Sequence, residues 1–527
     1  MSELQTLDFS EGWQSLEREQ TRWQLERRVL PAYLSVQRWF ASKGTEIKSA
    51  ELRSRFVLSG HGKDWLLAIF RANLADGRAE DYFVPLAVVW DRESHGPLPV
   101  DSAQPLAQVR KAEQTGALKE ALEDPRFIAD LVQAAGEDKE LAGPNGSMRF
   151  SHTHAYFYLQ EEDEKNIKKL GAEQSNSSIL IAKKMILKAY RKLERGVQPE
   201  LEMGRYLTDV AGYRNTPSLL GSIEQFDSDG QPTALAVIQG FIPNQGDGWS
   251  FTLNHLKHFF SGILEGTAGD LQNHSYATLM ERLGVRIGEL QQAFAIESGD
   301  PAFQPEPITT ADVNFRKQET QSEAEATFGL LANSESMLPP EQQSRVRALL
   351  DQRHRILSLI SGFELEPGST LMKTRFHGDL HLGQVLVAGD DFYIIDFEGE
   401  PARPFAQRRT KQSPLKDIAG MLRSLHYAAW SALFEAGAGE TDKIARLEKH
   451  AIEWVRTSSD ALMRGYRKTV KGCPSYPTDP EIFRRLLDLF ILEKALYEIR
   501  YELANRPSWL QIPVEGILSM LEHPGSQ

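Results

Sequence analysis

Cysteine is almost absent from this 527-residue chain, which contains only Cys473. A single cysteine excludes an intramolecular disulfide framework and any metal site built from a cysteine cluster. Long apolar stretches are also missing: no run reaches eighteen residues, and the N-terminus has no basic segment followed by an apolar one. The sequence therefore predicts neither a membrane span nor a signal peptide, and we expect a cytoplasmic protein with no membrane partner.

Several common catalytic motifs are missing as well. No G-x-x-x-x-G-K-[ST] phosphate loop occurs, which argues against a P-loop kinase. The G-x-G-x-x-G loop of protein kinases, the G-x-S-x-G elbow and the H-E-x-x-H motif are not found either. These absences argue against the commoner hydrolase classes. They also argue against kinases that bind phosphate with either of these glycine motifs.

Charge and length set further limits. The chain carries 60 Lys and Arg against 73 Asp and Glu, a net charge of −13. An acidic protein of this kind is a poor candidate for binding nucleic acid. Its length exceeds that of a single compact core and predicts two to four domains or subdomains.

The most informative stretch is RFHGDLHLGQVLVAGDDFYIIDFEGEP, residues 375–401. It places Asp379 in a loop, Gln384 five residues later, and Asp396 after a predicted β-hairpin, with Glu398 close behind. Two carboxylates and an amide in this order are typical of kinase-fold phosphoryl transfer. Asp379 would orient the acceptor hydroxyl as the base, and oxygen ligands from the others would bind Mg²⁺. Each half alone is also typical of an ordinary turn or strand end, but the two together favour a kinase.

An ATP clamp is expected upstream of this hairpin. Lys188 projects from the apolar strand MILKAY, which suits a lysine that reaches the α- and β-phosphates of ATP. Its partner should be a glutamate on the next helix, where Glu200 and Glu202 are both candidates and Glu202, deeper in the helix, is preferred. A surface lysine on an edge strand is the alternative.

Two further segments complete the predicted nucleotide site. The segment GAEQSNSS, residues 171–178, fills the position of a phosphate loop, with Ser175, Asn176 and Ser177 as candidate ligands. Such a loop is also typical of an ordinary turn. Gln239 and Phe241 follow a predicted strand at the position of an interlobe hinge, where backbone groups would bind adenine.

The last long helix carries a candidate acceptor face. Lys494, Tyr497 and Tyr501 share one side of the helix at i, i+3 and i+7, and Glu498 lies beside Lys494. Aromatic faces flanked by charges suit a sugar, whereas an amphipathic helix with its tyrosines in the core is the alternative reading.

Two more residues are candidates near the catalytic loop. Asp417 begins a helix and is either a substrate contact or a helix cap. His377 is a candidate catalytic residue whose expected role is to brace the loop. A basic loop precedes Asp417 and either orders the site or faces phosphate; it contains Arg403, Arg408, Arg409 and Lys411.

The motifs HGDLHLGQVL, IIDFEGEP, SPLKDIAGMLRSLHYAA and EKALYEIRYELANRPSWLQIP together resemble the maltokinase family. The likeness continues in GAEQSNSSI, LKAYRKLERGVQPELEMGRYL, QGFIPNQGDGW and the N-terminal QRWFASKG, so it spans most of the chain. The charged segment 161–169 departs from it. The chain resembles a stand-alone member, not one fused behind a trehalose synthase.

The resemblance implies an α+β, bilobal protein-kinase-like fold. We expect an N-terminal α+β cap subdomain (1–105), a mixed intermediate subdomain carrying the ATP clamp (106–243) and a mostly helical C-lobe (244–527). It also implies ATP- and Mg²⁺-dependent phosphorylation of the anomeric hydroxyl of maltose, feeding α-glucan synthesis from trehalose, with trehalose synthase as an expected partner. By resemblance, Asp379 is the base and Lys188 binds ATP phosphate.

Two rival functions fit the same residues. A kinase of this fold could act on glucosamine or an aminoglycoside, since Glu498 and Glu502 are compatible with an amine. A non-catalytic binding subunit is the third hypothesis, and the intact set of Lys188, Asp379, Gln384 and Asp396 argues against it.

Overall fold

The computed structural model describes residues 4–91, 104–171, 175–266, 270–364, 370–401, 403–437 and 440–522. Most of residues 94–105, the end of the predicted cap subdomain, lie outside this part. So do residues 172–174 of the predicted phosphate loop. The chain forms two compact units. The first comprises Met1–Asp209 and Pro217–Ile242, and the second comprises Val210–Thr216 and Pro243–Gln527. The predicted division into three parts stays a prediction.

The first unit is mainly β-structure. Its strands are β1 (Thr6–Asp8), β2 (Ile47–Gly60), β3 (Lys63–Leu74), β4 (Ala79–Phe83), β5 (Leu86–Trp90), β6 (Ala107–Lys111), β7 (Gln114–Glu120), β8 (Glu140–Gly143), β9 (Gly146–His152), β10 (Ile167–Lys169), β11 (Asn176–Ile181), β12 (Met185–Tyr190), β13 (Lys192–Leu193), β14 (Leu219–Phe226) and β15 (Pro232–Gly240). Its helices are α1 (Glu19–Gln24), α2 (Leu30–Val36), α3 (Pro125–Gly136), α4 (Glu161–Glu164) and α5 (Pro199–Arg205).

Within the described residues these strands form two sheets. In the first, the order is β1-β6-β7-β5-β3-β4-β13, and β2 pairs with β3. The helical segment α1–α2 covers one face of this sheet, and its apolar side chains join the strand residues in a common core. The helix and sheet content predicted for the N-terminal cap is thus present, and its sheet continues beyond residue 105 to β7.

The second sheet has the order β10-β11-β12-β15-β14-β9-β8. Its antiparallel centre brings β12 beside β15, with Lys188 opposite Val237. The apolar pattern of residues 180–190 predicts one strand, but the structure divides this region between β11 and β12 at a tight turn, where Ala182 and Lys183 have positive φ.

The second unit is mostly helical. Its helices are α6 (Gly248–Glu265), α7 (Asp270–Phe294), α8 (Thr310–Ser334), α9 (Pro340–Asp351), α10 (Arg353–Ser361), α11 (Phe405–Arg408), α12 (Leu415–Gly437), α13 (Thr441–Thr469), α14 (Pro480–Asn505) and α15 (Gln511–Glu522). Two pairs of short antiparallel strands interrupt them. One joins β16 (Glu306–Pro307) to β17 (Met372–Lys373), and the other is the hairpin of β18 (Val385–Ala388) and β19 (Asp391–Ile394).

The predicted mostly helical character of this unit is present. Helical periodicity predicts one helix over residues 340–361, but the structure has two, α9 and α10, which meet at Gln352. The predicted α+β class is confirmed. No helix in the described ranges combines the length and the apolar character that crossing a bilayer requires.

Candidate active site

Lys188 in the first unit is held by a buried carboxylate. Its Nζ lies 2.8 Å from Oε2 of Glu200 in α5, and the lysine and glutamate side chains are 14% and 3% exposed. The Tyr190 hydroxyl donates to the same oxygen at 2.6 Å, and Gln239 Nε2 lies 3.3 Å from the other one. These contacts fix the carboxylate, so the lysine is positioned as a fixed cation.

The preference for Glu202 as this partner is corrected to Glu200. The two residues are two positions apart on a helix, about 200° around its axis, so they lie on nearly opposite faces. Glu200 is buried toward the sheet, whereas Glu202 lies on the half-buried side. The glutamate that contacts Lys188 is decided by the helix face that points to the strand and not by its position along the helix.

The predicted phosphate loop is shorter than expected. Asn176 and Ser177 belong to β11, opposite Tyr190 and Ala189 of β12. Ser177 is fully buried, and its hydroxyl accepts a hydrogen bond from Arg191 Nε at 2.6 Å. Its side chain therefore cannot serve as the expected phosphate ligand, because it is buried and bound to Arg191. Ser175 precedes the strand and is exposed, so its phosphate role stays a prediction.

The predicted hinge residues follow β15. The backbone N–H of Phe241 donates to the carbonyl of Lys184 at 2.8 Å, and the side chain of Gln239 points to Glu200. The Phe241 N–H is therefore engaged within the first unit. That the other backbone groups of Gln239 and Phe241 bind adenine stays a prediction.

In the second unit, the predicted catalytic hairpin is present. Strands β18 and β19 pair in the register Val385 to Ile394, which brings Gln384 and Asp396 to the same end. Gln384 Nε2 donates to Oδ2 of Asp396 at 2.9 Å. Asp396 has φ of +67°, a left-handed conformation that an aspartate adopts at a local cost and that is concentrated at functional sites.

The acidic end of this hairpin suits a hard divalent cation. Carboxylate oxygens of Asp396 and Glu398 lie within 4.8 Å of one another. The hydrogen bond from Gln384 uses its amide nitrogen and leaves the amide oxygen as its ligand atom. Oxygen donors of this kind are those that Mg²⁺ prefers, so the residues fit the predicted ion.

Asp379 lies in a loop that two neighbours brace. His377 is fully buried; its Nε2 donates to the Ile395 carbonyl at 2.9 Å, and its Nδ1 accepts from the Asp379 N–H at 3.3 Å. Asp417 accepts from the backbone N–H groups of His377 and Gly378 at 2.7 and 2.9 Å. The loop backbone is thus held from both sides while the Asp379 carboxylate keeps part of its exposure.

These contacts give both neighbours a structural role. Asp417 is buried, and its burial raises the pKa of its carboxyl even though it accepts hydrogen bonds from the loop. It also lines the pocket beside Asp379, so its role as a substrate contact stays a prediction. His377 has both ring nitrogens engaged by backbone groups, so the structure supports the bracing role over proton transfer.

Close backbone contacts explain two glycines here. Gly378 has φ of +89°, which favours a residue without a side chain. A Cβ at Gly420 of α12 would lie 2.5 Å from the Leu380 carbonyl oxygen. The absence of that carbon lets α12 lie directly against the catalytic loop.

The acceptor face of α14 meets Asp379. Lys494 Nζ lies 3.5 Å from Oδ1 of Asp379 and 5.4 Å from the ring centroid of Tyr497. Burial favours the neutral amine of Lys494, but Asp379, Glu498 and Glu400 outweigh it and raise its pKa, so the ammonium is kept. Asp379, Lys494 and Tyr497 line a small pocket within the second unit.

The two tyrosines of this face are exposed and stacked. Tyr497 and Tyr501 are 40% and 44% exposed, with ring centroids 6.4 Å apart and planes at 25°. The alternative in which both tyrosines pack in the helical core is thus excluded. Their contact with a sugar stays a prediction.

Glu498 has a different role from the one expected. It is buried, and its carboxylate accepts from Arg423 Nη2 of α12 at 2.7 Å. Glu498 follows Tyr497 in the helix, and its side chain faces the interior of the helical unit. Its assignment as a substrate contact is corrected to an ion pair that joins α12 to α14.

A buried charge network, which the sequence motifs did not predict, lies beside the pocket. Glu493 lies 2.8 Å from Lys416, 3.4 Å from Arg316 and 3.7 Å from Arg403. Burial alone would raise the pKa of Glu493, but these three cations hold it at about 2. One signal could have revealed it: Glu493 lies in phase with the apolar positions of α14, which predicts a buried carboxylate in need of partners.

Comparisons with known proteins agree with these features. Residues 33–124 match the family model of the maltokinase N-terminal cap domain. A glucosamine kinase of Mycolicibacterium smegmatis is 25% identical over 359 residues, which cover 66% of this chain and 78% of that protein. A glucosamine kinase of Streptacidiphilus jiangxiensis is 22% identical over 354 residues, 66% of this chain and 72% of the relative.

Solved structures extend the likeness to the fold. The structure of a glucosamine kinase in complex with glucosamine, ADP and inorganic phosphate has a TM-score of 0.63 at 18% identity and covers 93% of this chain and 99% of its own. A second glucosamine kinase structure has a TM-score of 0.62 at 20% identity, with coverages of 89% and 92%. The chain has the fold of these kinases, which confirms the predicted fold class, and it is similar in sequence to glucosamine kinases.

Proposed function

We propose that the chain is a maltokinase: it transfers the γ-phosphoryl group of ATP to the anomeric hydroxyl of maltose, giving maltose 1-phosphate and ADP. The observation that carries the proposal is the Asp379 carboxylate, braced by His377 and Asp417 and facing Lys494 and an exposed tyrosine. The match to the maltokinase cap domain supports maltose as the acceptor.

Each residue has a distinct part in the proposed reaction. Asp379 aligns the anomeric O–H and takes its proton as the oxygen bonds to the γ-phosphorus and the bond to the bridging oxygen of ADP breaks. Lys188 binds the α- and β-phosphates. Gln384, Asp396 and Glu398 would hold Mg²⁺, which neutralises charge on the phosphate oxygens when bound.

The acceptor face supplies recognition. Stacked aromatic rings suit the C–H faces of glucose units, and the Lys494 ammonium donates hydrogen bonds to hydroxyls. The aromatic rings of Tyr497 and Tyr501 follow each other along one helix face, which suits two linked rings better than one. A product used in α-glucan synthesis, a cytoplasmic location and a complex with trehalose synthase remain predictions from the family resemblance.

Phosphorylation of glucosamine is the second candidate. Three glutamates, Glu323, Glu400 and Glu493, line the pocket beside Asp379, and carboxylates suit an amino sugar. The curated relatives are glucosamine kinases. Lys416 and Arg403 also line that pocket and pair with Glu493, which leaves less negative charge for an ammonium.

A side-by-side assay separates the two candidates. The full chain is incubated with ATP and Mg²⁺ and with maltose, glucosamine, glucose or an aminoglycoside, and ADP release and product structure are measured. We expect maltose to give the highest kcat/KM and a product without a reducing end. A preference for glucosamine, or a reducing product from maltose, would contradict the proposal.

A further inference from the structure

A cavity in the second unit lies beside the acceptor pocket, and no role has been assigned to it above. It has a volume of about 600 Å³, enough for a disaccharide-sized ligand. Phe490 lines both this cavity and the acceptor pocket. We refer to it as the α8 cavity, because Asp312, Val313, Phe315 and Arg316 of α8 form one wall.

The α8 cavity is basic in an acidic protein. Among the described residues that line it, five are Lys or Arg and two are Asp or Glu. Three of the cations come from the basic loop and the strand before the catalytic loop: Arg409, Lys411 and Lys373. The chain as a whole has a charge of −13, so this concentration of cations is local. A low-dielectric concavity of this sign attracts anions.

The polar groups of the cavity are held in place before any ligand binds. The Lys411 side chain is 7% exposed; its Nζ donates to the Pro301 carbonyl at 2.7 Å and to Glu306 at 2.5 Å. An ammonium has three donors, so one remains for a ligand. The Ser413 hydroxyl is buried and has no hydrogen-bond partner among the described residues.

Apolar side chains complete the lining. Phe315 is 59% exposed, which is unusual for a phenylalanine, and Phe363 and Phe490 line the same cavity. Aromatic faces next to hydrogen-bonding side chains suit a sugar ring, and the cations suit a phosphate group. The chemistry of the lining thus fits a phosphorylated sugar better than a neutral sugar or a bare anion.

The walls of the cavity continue into the catalytic loop. Lys373 and Arg375 lie four and two residues before His377, and Gln412 and Ser413 lie within three residues of the start of α12. The two wall segments pair through Thr374, whose N–H donates to the Gln412 carbonyl at 3.0 Å and whose carbonyl accepts from the Gln412 N–H at 3.0 Å. A ligand that contacts both segments therefore acts on the loop that carries Asp379.

We propose that the α8 cavity is a second ligand site that binds a sugar phosphate and lowers turnover through the catalytic loop. Naming maltose 1-phosphate as the ligand rests on the proposed function, because that compound is its product. The site itself does not depend on it, since glucose 1-phosphate has the same chemistry.

Binding is tested by calorimetry on the full chain without ATP. The probes are maltose 1-phosphate, glucose 1-phosphate, inorganic phosphate and maltose. We expect both sugar phosphates to bind, and Lys411→Met and Phe315→Ala each to weaken binding at least about tenfold, as the loss of a charge-assisted hydrogen bond or an aromatic face implies. Lys449→Met, at an exposed lysine of α13 away from the cavity, is the matched control and should bind like wild type.

Other variants exclude the acceptor pocket and misfolding as explanations. Lys494→Met changes the acceptor pocket and should leave sugar-phosphate binding intact, and Lys411→Arg should retain most of it. The proposal is overturned if Lys494→Met abolishes binding while Lys411→Met does not. It is also overturned if Lys411→Met weakens the binding of maltose or inorganic phosphate as much as it weakens the binding of the esters.

Turnover gives a second readout. With glucose 1-phosphate as effector, we expect kcat to fall with KM for the acceptor unchanged, and Phe315→Ala to be insensitive. Competition with the acceptor sugar would overturn the regulatory part. If the chain fails to phosphorylate maltose but still binds glucose 1-phosphate through Lys411, the proposed function fails and this site stands.

Discussion

Two lysine–carboxylate pairs, one in each unit, use the same chemical groups in opposite ways. Lys188 and Glu200 lie 2.8 Å apart with side chains 14% and 3% exposed. Lys494 and Asp379 lie 3.5 Å apart with side chains 24% and 19% exposed. The first pair is tight and has further partners in Tyr190 and Gln239, whereas the second is looser and reaches a pocket.

This difference fits the two roles proposed for the pairs. A cation that binds phosphate needs a fixed position, and a buried carboxylate with several donors provides it. A carboxylate that accepts a proton needs access to the hydroxyl, so a close ion pair would compete with its role. The first two predictions below each break one pair, and the proposed function requires that the consequences differ. The other two change the surroundings of the looser pair.

The largest effect is expected from Asp379→Asn. The amide cannot accept the hydroxyl proton, so kcat should fall at least about a hundredfold, with little change in KM for ATP. Steady-state kinetics with maltose measures both constants. Turnover within about threefold of wild type would remove Asp379 from the role of base.

Breaking the tight pair should act on ATP and on stability together. Glu200→Gln leaves Lys188 without its carboxylate, so KM for ATP should rise about tenfold. The free energy of unfolding should fall by about 3 kcal/mol, because a buried charge loses its partner. Glu202→Gln is the matched control on the same helix, and an equal effect there would contradict the pairing.

A third variant tests the charge network next to the loose pair. The pKa of Glu493 is lowered from 4.5 to about 2, so its ionised form contributes stability above pH 4.5 that is lost as the pH falls toward 2. Glu493→Gln should be destabilised at neutral pH, and its deficit should shrink by about 3 kcal/mol across that window. Urea unfolding at several pH values measures this difference, and a constant deficit would argue against an ionised Glu493.

The smallest effect is expected at the aromatic face. Tyr501→Ala removes an exposed ring, so KM for maltose should rise about fivefold while kcat and the melting temperature stay near wild type. Trp23→Ala, at an aromatic residue of similar exposure in the first unit, is the control. An unchanged KM in Tyr501→Ala would restrict sugar contact to Tyr497.

The catalytic hairpin could be predicted because its pattern is local. Gln384 and Asp396 are twelve residues apart, and a short turn between two apolar strands brings them together whatever surrounds it. The exposed face of Lys494, Tyr497 and Tyr501 followed from helical periodicity in the same way. Their sugar contacts and the nucleotide roles remain predictions.

The errors concern contacts that depend on which face of an element a side chain lies on, or on a partner distant in sequence. Glu202 was preferred because sequence position does not reveal which helix face meets the strand. Ser177 was assigned to phosphate before the register of β11 against β12 was known. Glu498 was assigned to substrate because Arg423, 75 residues away, could not be recognised as its partner.

The sequence by itself determined the chemical groups and their order: a lysine on a strand, a loop aspartate, and an amide and an aspartate across a hairpin. Local geometry sets these, since turns and strand alternation act over a few residues. Only the tertiary structure decided which carboxylates are buried against cations or backbone N–H groups and which keep part of their exposure. Asp417, Glu493 and Glu498 have the same kind of side chain as Asp379 and Glu398, and burial beside particular cations or backbone N–H groups distinguishes them, because a buried charge must find its partners inside the fold.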